Sequence, residues 1–220
     1  MEGSYIIINQ QINQVQIAWI WFLAIPLLLF LGWITYNLLK GDNMVILGMP
    51  MSGKTTMLRH MQGLPFDPTY IPTQKDLYKE FDWTIGDRTI KAGVDLSGDD
   101  AWVKENYPKL IEDNEIIFFV FDAFEFEDDP SYRRGTLARL DFTFEQIKEK
   151  KGDVFSFIEH HFALIGTHAD KISDSPKYLI RKWQKDYSEK SYNKIFKNNI
   201  AVLDMRNVDE LNDFLKRIFL

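Results

Sequence analysis

The chain has 220 residues, 45% of them hydrophobic and 26% charged, which fits one or two compact domains and excludes a disordered or fibrous protein. A formal net charge of −6 removes the electrostatic basis for a general nucleic-acid binder. With no cysteine, a disulfide scaffold, a thiolate zinc site and a cysteine nucleophile are excluded as well.

Residues 1–39 carry no Lys or Arg and one acid, Glu2. Within them, residues 17–39, IAWIWFLAIPLLLFLGWITYNLL, hold no charge. At about 1.5 Å per residue such a helix reaches roughly 35 Å, enough for a hydrocarbon core of about 30 Å. Trp19 and Trp21 stand near one end, Trp33 and Tyr36 near the other, as interfacial aromatics do. A transmembrane helix over 17–39 is therefore expected, after a short non-cytosolic tail, 1–16. Lys40, Lys54 and Arg59 follow the span, so the positive-inside rule places residues 40–220 in the cytosol. The expectation is a single-pass protein with the lipid bilayer as a partner, in the endoplasmic reticulum of a eukaryote or the inner membrane of a bacterium.

Residues 40–220 alternate apolar strand-like runs with helical stretches. Strands are predicted at 44–48, 77–85, 89–96, 115–123, 162–167 and 200–204, with Gly86-Asp87 as a hairpin turn between the second and third. Helices are predicted at 54–62, 100–112, 130–150, 175–196 and 208–219. This alternation predicts an α/β domain, a mainly parallel sheet with helices on both faces, preceded by the single transmembrane helix. Phe118, Phe119 and Phe121 read as sheet core. Trp102 and Tyr107 are candidates for an interface, although core packing is the commoner role for such residues. The acidic run from Glu125 to Asp129 reads as a solvated loop. His160-His161 reads as part of a strand, where neighbouring side chains point to opposite faces and make a poor metal pair.

Gly48-Met49-Pro50-Met51-Ser52-Gly53-Lys54-Thr55 fits G-x-x-x-x-G-K-[ST], between an apolar strand and a helix pattern. Backbone N–H groups of such a loop wrap phosphates, and the helix behind it turns its positive end toward them. The candidate nucleotide contacts are Gly48, Pro50, Met51, Ser52, Gly53, Lys54, Thr55 and Thr56. Lys54 would reach the β- and γ-phosphates, and the Thr55 hydroxyl would coordinate Mg²⁺. Asp95-Leu96-Ser97-Gly98 ends the third strand. Asp95 there can hold Mg²⁺ through water, and the Gly98 amide can meet a γ-phosphate. After the fifth strand comes Thr167-His168-Ala169-Asp170. The Asp170 carboxylate can accept from guanine N1–H and the 2-amino group, whereas adenine has an acceptor at N1; an Asp at this place can also simply cap a helix. Between the first helix and second strand, FDPTYIPTQ offers Thr69 and Thr73 as further metal-contacting threonines.

Together these motifs resemble the Ras-like small GTPases over residues 44–220. SGKT and the Pro-Thr at 72–73 resemble the Arf branch. With the preceding span, the layout is similar to membrane-anchored Arf-like GTPases of the signal-recognition-particle-receptor beta-subunit family. The resemblance implies GTP or GDP with Mg²⁺ as ligands, and Thr55, Thr73 and Asp95 at the metal. It favours Thr73, 18 residues beyond Thr55 and 22 before Asp95, over Thr69. It also implies that Lys54, Thr73 and Asp99 carry catalysis. Asp99 stands where many members have a water-orienting glutamine, and a carboxylate beside the γ-phosphate adds repulsion. The guanine loop is THAD rather than N-K-x-D and resembles that of Roco-family GTPase domains. Thr167 then braces the loops, and His168 replaces a lysine stem along the base. The usual Ser-Ala-Lys after the sixth strand has Asp204-Met205-Arg206 as its candidate.

The function implied is a membrane-anchored GTP-binding switch with slow or partner-assisted hydrolysis, which holds a cytosolic or peripheral membrane protein. The alternatives are a hydrolysis-deficient, GTP-bound anchor or interaction subunit, a P-loop ATPase or kinase, and a structural subunit without nucleotide.

Overall fold

In a computed structural model of the protein, residues 22, 24–32, 42–65, 81–85, 88–95, 100–190 and 199–219 are described. The chain divides into two units, Met1–Gly41 and Asp42–Leu220.

In the first unit, Phe22 and residues 24–32 are helical, with Ile25 and Leu27 to Leu31 exposed. The expected transmembrane helix over 17–39 is overturned: among the described residues no helix is long and apolar enough to cross a membrane. The rest of that span and the tail 1–16 lie outside the described residues.

The second unit is the α/β domain. Its central strands are β1 (Asp42–Gly48) and β4 (Ile116–Asp122). All seven residues of β4 are buried, as a parallel strand covered on both faces requires. Phe118, Phe119 and Phe121 are core, as expected. With β2 (Phe81–Ile85), β3 (Arg88–Asp95), β5 (Phe162–Thr167) and β6 (Ile200–Val202), they form one six-stranded sheet in the order β2-β3-β1-β4-β5-β6. Only β2 and β3 pair antiparallel. Gly86-Asp87, the predicted hairpin turn, lies outside the described residues, as do 77–80 of the predicted second strand.

Alternate residues along the strands feed two cores. Val45, Leu47, Ile117, Phe119 and Leu164 pack under α2 (Asp100–Asp113), α4 (Pro130–Lys151) and α6 (Pro176–Asp186). Met44, Ile46, Ile116, Phe118 and Ile165 pack under α1 (Lys54–Met61) and α7 (Val208–Phe219). Burying each such side chain contributes about 1.5–3 kcal/mol relative to exposure. Helices therefore cover both faces.

Two helices depart from the sequence expectation. The acidic run is α3 (Ala123–Asp128), not a loop. Asp122 caps it, accepting from Phe124 N–H at 2.9 Å and Glu125 N–H at 3.1 Å. Glu127 is paired with Lys182 and accepts from Trp183 Nε1 at 2.6 Å. Burial pushes its carboxyl up, and the Lys182 and Trp183 bonds outweigh that and hold it below its ordinary value. The second is α5 (Val154–His161), which ends in the two histidines taken from the sequence as strand. Gly152, at φ +79°, closes α4, and Asp153 Oδ1 accepts from Ser156 N–H at 3.3 Å to open α5. The predicted 175–196 helix ends at Asp186, and 191–198 lie outside the described residues.

Candidate functional site

The chain leaves β1 and returns through β2 and β3 on one side, then crosses to β4 on the other. The carboxyl ends of β1, β3, β4 and β5 therefore open onto one edge, at the point where the strand order reverses. Open α/β sheets bind ligands there.

Gly48 ends β1 against β4. A Cβ at this position would stand 1.9 Å from the Val120 carbonyl oxygen, and its φ is +136°. Its N–H donates to the Tyr107 hydroxyl at 3.0 Å, and its carbonyl accepts from Arg139 Nη1 at 3.0 Å. The loop then turns through exposed Pro50 and Met51, with Met51 left-handed at φ +56°. Ser52 is fully buried and its hydroxyl donates to the Met49 carbonyl at 2.7 Å. Gly53, at φ +83°, is the N-cap of α1 and offers no side-chain cap. The first-turn N–H groups of α1, which include Lys54, Thr55 and Thr56, have no acceptor within the helix. Lys54 is buried and folds inward, with Nζ 2.5 Å from the Met49 carbonyl. The structure thus brings Gly48, Pro50, Met51, Ser52, Gly53, Lys54, Thr55 and Thr56 into one loop and helix start.

The second wall follows β5. Thr167 is buried, and its hydroxyl lies 3.0 Å from the Ser52 carbonyl and 3.2 Å from the Phe121 carbonyl. It ties the loop after β1 to the loop after β5. His168 is left-handed at φ +60°, which turns its ring back toward β4, where Nδ1 meets Asp122 Oδ2 at 2.8 Å. Asp170 follows in a single 3-10 turn, Ala169–Lys171.

Asp95 ends β3, its backbone in register with Ile46. Leu96 to Asp99, and with them Gly98 and Asp99, lie outside the described residues. So do Thr69 and Thr73. Among the described residues no group of three or more His, Asp or Glu side chains is placed to hold a metal. Magnesium keeps most of its water and needs only one or two protein oxygens. Of the two candidate metal residues that are described, Thr55 follows Lys54 in the first turn of α1, and the backbone of Asp95 ends the strand beside β1.

Three residues not singled out from the sequence belong to this edge. For Asp122 the available signal was a carboxylate ending an apolar strand, a position from which it can cap a helix. Burial pushes its carboxyl up, but the His168 bond, the Glu125 amide and the charges of His168 and Lys171 outweigh it and hold the group below its ordinary 3.8. Tyr132 donates no signal in the sequence, yet its hydroxyl accepts from Asp122 N–H at 2.8 Å. Arg139 sits on the buried stripe Thr136, Arg139, Leu140, Thr143, Ile147 of α4. A guanidinium on an apolar stripe was the available signal.

The Asp122–His168 pair has a measurable pH signature. A carboxyl with a folded-state pKa below its unfolded value contributes fully above about pH 4, and the contribution is lost as pH falls through the folded value. Asp122→Asn keeps the cap and loses the charge. It is expected to cost about 1 kcal/mol at pH 7, with the gap from wild type shrinking below pH 4. Denaturant midpoints across pH check this, and an equal gap at pH 3 and pH 7 contradicts it.

No protein-family model matches the chain, and no curated protein matches it.

Proposed function

We propose that residues 42–220 form a guanine-nucleotide-binding domain that acts as a nucleotide-dependent switch for a protein partner. The observation that carries this reading is the tie from Thr167 to the Ser52 carbonyl, which fixes a G-x-x-x-x-G-K-T loop beside the loop bearing Asp170. One loop supplies backbone N–H groups, the Lys54 ammonium and a helix N-terminus, the groups that take a di- or triphosphate. The other supplies a carboxylate acceptor that suits guanine and rejects adenine.

Each group has a defined task. Lys54 neutralises charge on the β- and γ-phosphates. Thr55 and Asp95 would hold Mg²⁺, which when bound screens the phosphate charge. Thr167 keeps the distance between the phosphate and base ends constant. Tyr107, from α2, and Arg139, from α4, both bond to Gly48. A phosphate that shifts the loop therefore shifts the hydrogen bonds of α2, whose outer face a partner can read. Tyr107 is buried and Trp102 packs edge-on against it with ring centroids 6.4 Å apart, so both serve this core rather than an open surface.

The test uses the full chain with Mg²⁺ and GDP. A ligand at a thousand times its Kd stabilises the fold by about 4 kcal/mol, so GDP and GTP should raise the melting temperature while ADP and ATP do not. Lys54→Ala should weaken GDP and GTP about a hundredfold through loss of a charge-assisted phosphate contact. An unchanged affinity in that variant would sink the phosphate-loop assignment.

A further inference from the structure

Helix α6 carries charge that its own fold does not use. Its residues 176–185, PKYLIRKWQK, hold four Lys or Arg and no acid, in a chain whose net charge is −6. Leu179 and Trp183 are buried in the core, and Ile180 packs against it. At about 3.6 residues per turn, Lys177, Arg181 and Lys185 fall in a row on the opposite face. All three are exposed. Tyr178 stands beside that row and is 56% exposed, the one exposed aromatic among the described side chains of 42–220.

Local physics works against this row. Like charges four apart on a helix repel, and Lys177–Arg181 and Arg181–Lys185 are both such pairs. A helix start favours acids and disfavours cations, yet the first turn of α6 holds Lys177 and no acid. The cations of this region that face a neighbouring element do find carboxylates. Lys182 is paired with Glu127 of α3, and Lys190 Nζ lies 3.8 Å from Asp141 of α4. Asp186, which ends the helix, acts on Lys182. Among the described residues, Lys177, Arg181 and Lys185 have no ion pair. Nothing in the fold of this unit calls for them.

We infer that this face of α6 is a docking surface for an acidic helix of a partner protein. This goes beyond the nucleotide reading and does not rest on it. The row from Lys177 to Lys185 extends about 12 Å, with a cation at intervals of about 6 Å. Acids four residues apart on a partner helix repeat at the same interval and meet the three cations in register. Arg181, in the middle, offers a planar fork that suits a carboxylate. Tyr178 adds ring area at the edge, and Tyr and Arg are side chains that interfaces favour. The partner's carboxylates also relieve the repulsion within the row. Glu127 on Lys182 is the same contact made inside the chain. A net charge of −6 opposes an extended polyanion such as a bilayer surface or a duplex, whereas one short helix meets only the row.

The experiment titrates the full chain, with no nucleotide added, into a fluorescein-labelled, alanine-rich helical peptide with glutamate at every fourth position. The same peptide with glutamine is the control. Anisotropy should show binding of the glutamate peptide alone. Arg181→Gln should weaken it about tenfold and Tyr178→Ala several-fold. Lys216→Gln makes the same charge change at an exposed site on α7, over the other face of the sheet, and should leave binding unchanged. Arg181→Gln should melt no lower than wild type, because it removes two repulsive pairs; a clearly lower melting temperature would give the row to the fold and overturn the inference. No binding by wild type, or equal losses in Arg181→Gln and Lys216→Gln, overturns it as well. So does tighter binding, through Arg181, of phosphatidylserine vesicles or a short DNA duplex than of the peptide. Without nucleotide in the assay, none of these outcomes bears on the guanine reading, and failure there leaves this inference standing.

Discussion

Gly48→Ala is expected to destabilise the domain by about 4 kcal/mol or more and to abolish nucleotide binding with it. The added Cβ would meet the Val120 carbonyl oxygen at 1.9 Å and the Val120 nitrogen at 2.7 Å. Both atoms are backbone of the central strand β4, so no side chain can give way. The alternative is to part β1 from β4 and lose the pairing of Met44 to Gly48 with Ile116 to Val120. Overpacking that flexible neighbours can absorb costs about 1–3 kcal/mol, and this position exceeds that range. Gly63→Ala is the matched control. Gly63 is also left-handed, at φ +71°, but a Cβ there meets nothing within 4 Å, so only the backbone strain of about 1–2 kcal/mol applies. Urea midpoints of the two variants separate steric collision from backbone strain. Similar midpoints would mean that the approach of β1 to β4 is looser than the structure shows.

The second large effect is expected at Asp170. Asp170→Asn replaces an acceptor-only group by an amide that turns a donor toward one of the guanine donors. A site built on hydrogen bonds to a ligand's N–H groups rejects the mismatched partner strongly, and buried polar mismatches cost about 1–3 kcal/mol each. With two donors affected, GTP and GDP affinity should fall roughly hundredfold or more. Affinity for ADP should not fall, because Asp170 is not a contact that favours adenine. Fold stability should change little, since the described partner of Asp170 is the surface residue Arg206. Competition titrations on the folded variant check this. Equal losses for guanine and adenine nucleotides would move Asp170 from the base to a general structural role.

Much of this domain could be read before any coordinates. The strand-loop-helix around Lys54 was legible because its glycines, its lysine and its flanking apolar run each have one physical use. The parallel strands β4 and β5 were legible because strands buried on both faces must be nearly continuously apolar, as IIFFVF is in β4 before Asp122. The helix α3 was not, because half of AFEFED is acidic, the helix is only six residues long, and its N-terminal cap is the last residue of the preceding strand. The helix α5 was hidden as well. VFSFIEHH is only eight residues long and runs directly into FALIGT of β5, and periodicity alone does not assign so short a segment.

The span at 17–39 shows the limit of composition. Length and apolarity at 17–39 predict a spanning helix, whereas among the described residues no helix is long and apolar enough to cross a membrane. At the site, the placing of Thr167 and Asp170 followed from one local motif, the loop after β5. Tyr107, Asp122, Arg139 and Arg206 did not, since each acts on a group between 36 and 91 residues away in the chain. Pairings of that kind arise from the sheet order and carry no local pattern.

The most direct test of the central claim is a competition titration of the full chain, with Mg²⁺ and a fluorescent GDP, against unlabelled GDP and ADP. The account predicts that GDP displaces the probe at least a hundredfold more effectively than ADP, and that Lys54→Ala no longer takes up the probe at the same concentrations. Equal displacement by ADP, or no uptake of the probe by the folded wild-type chain, would contradict it.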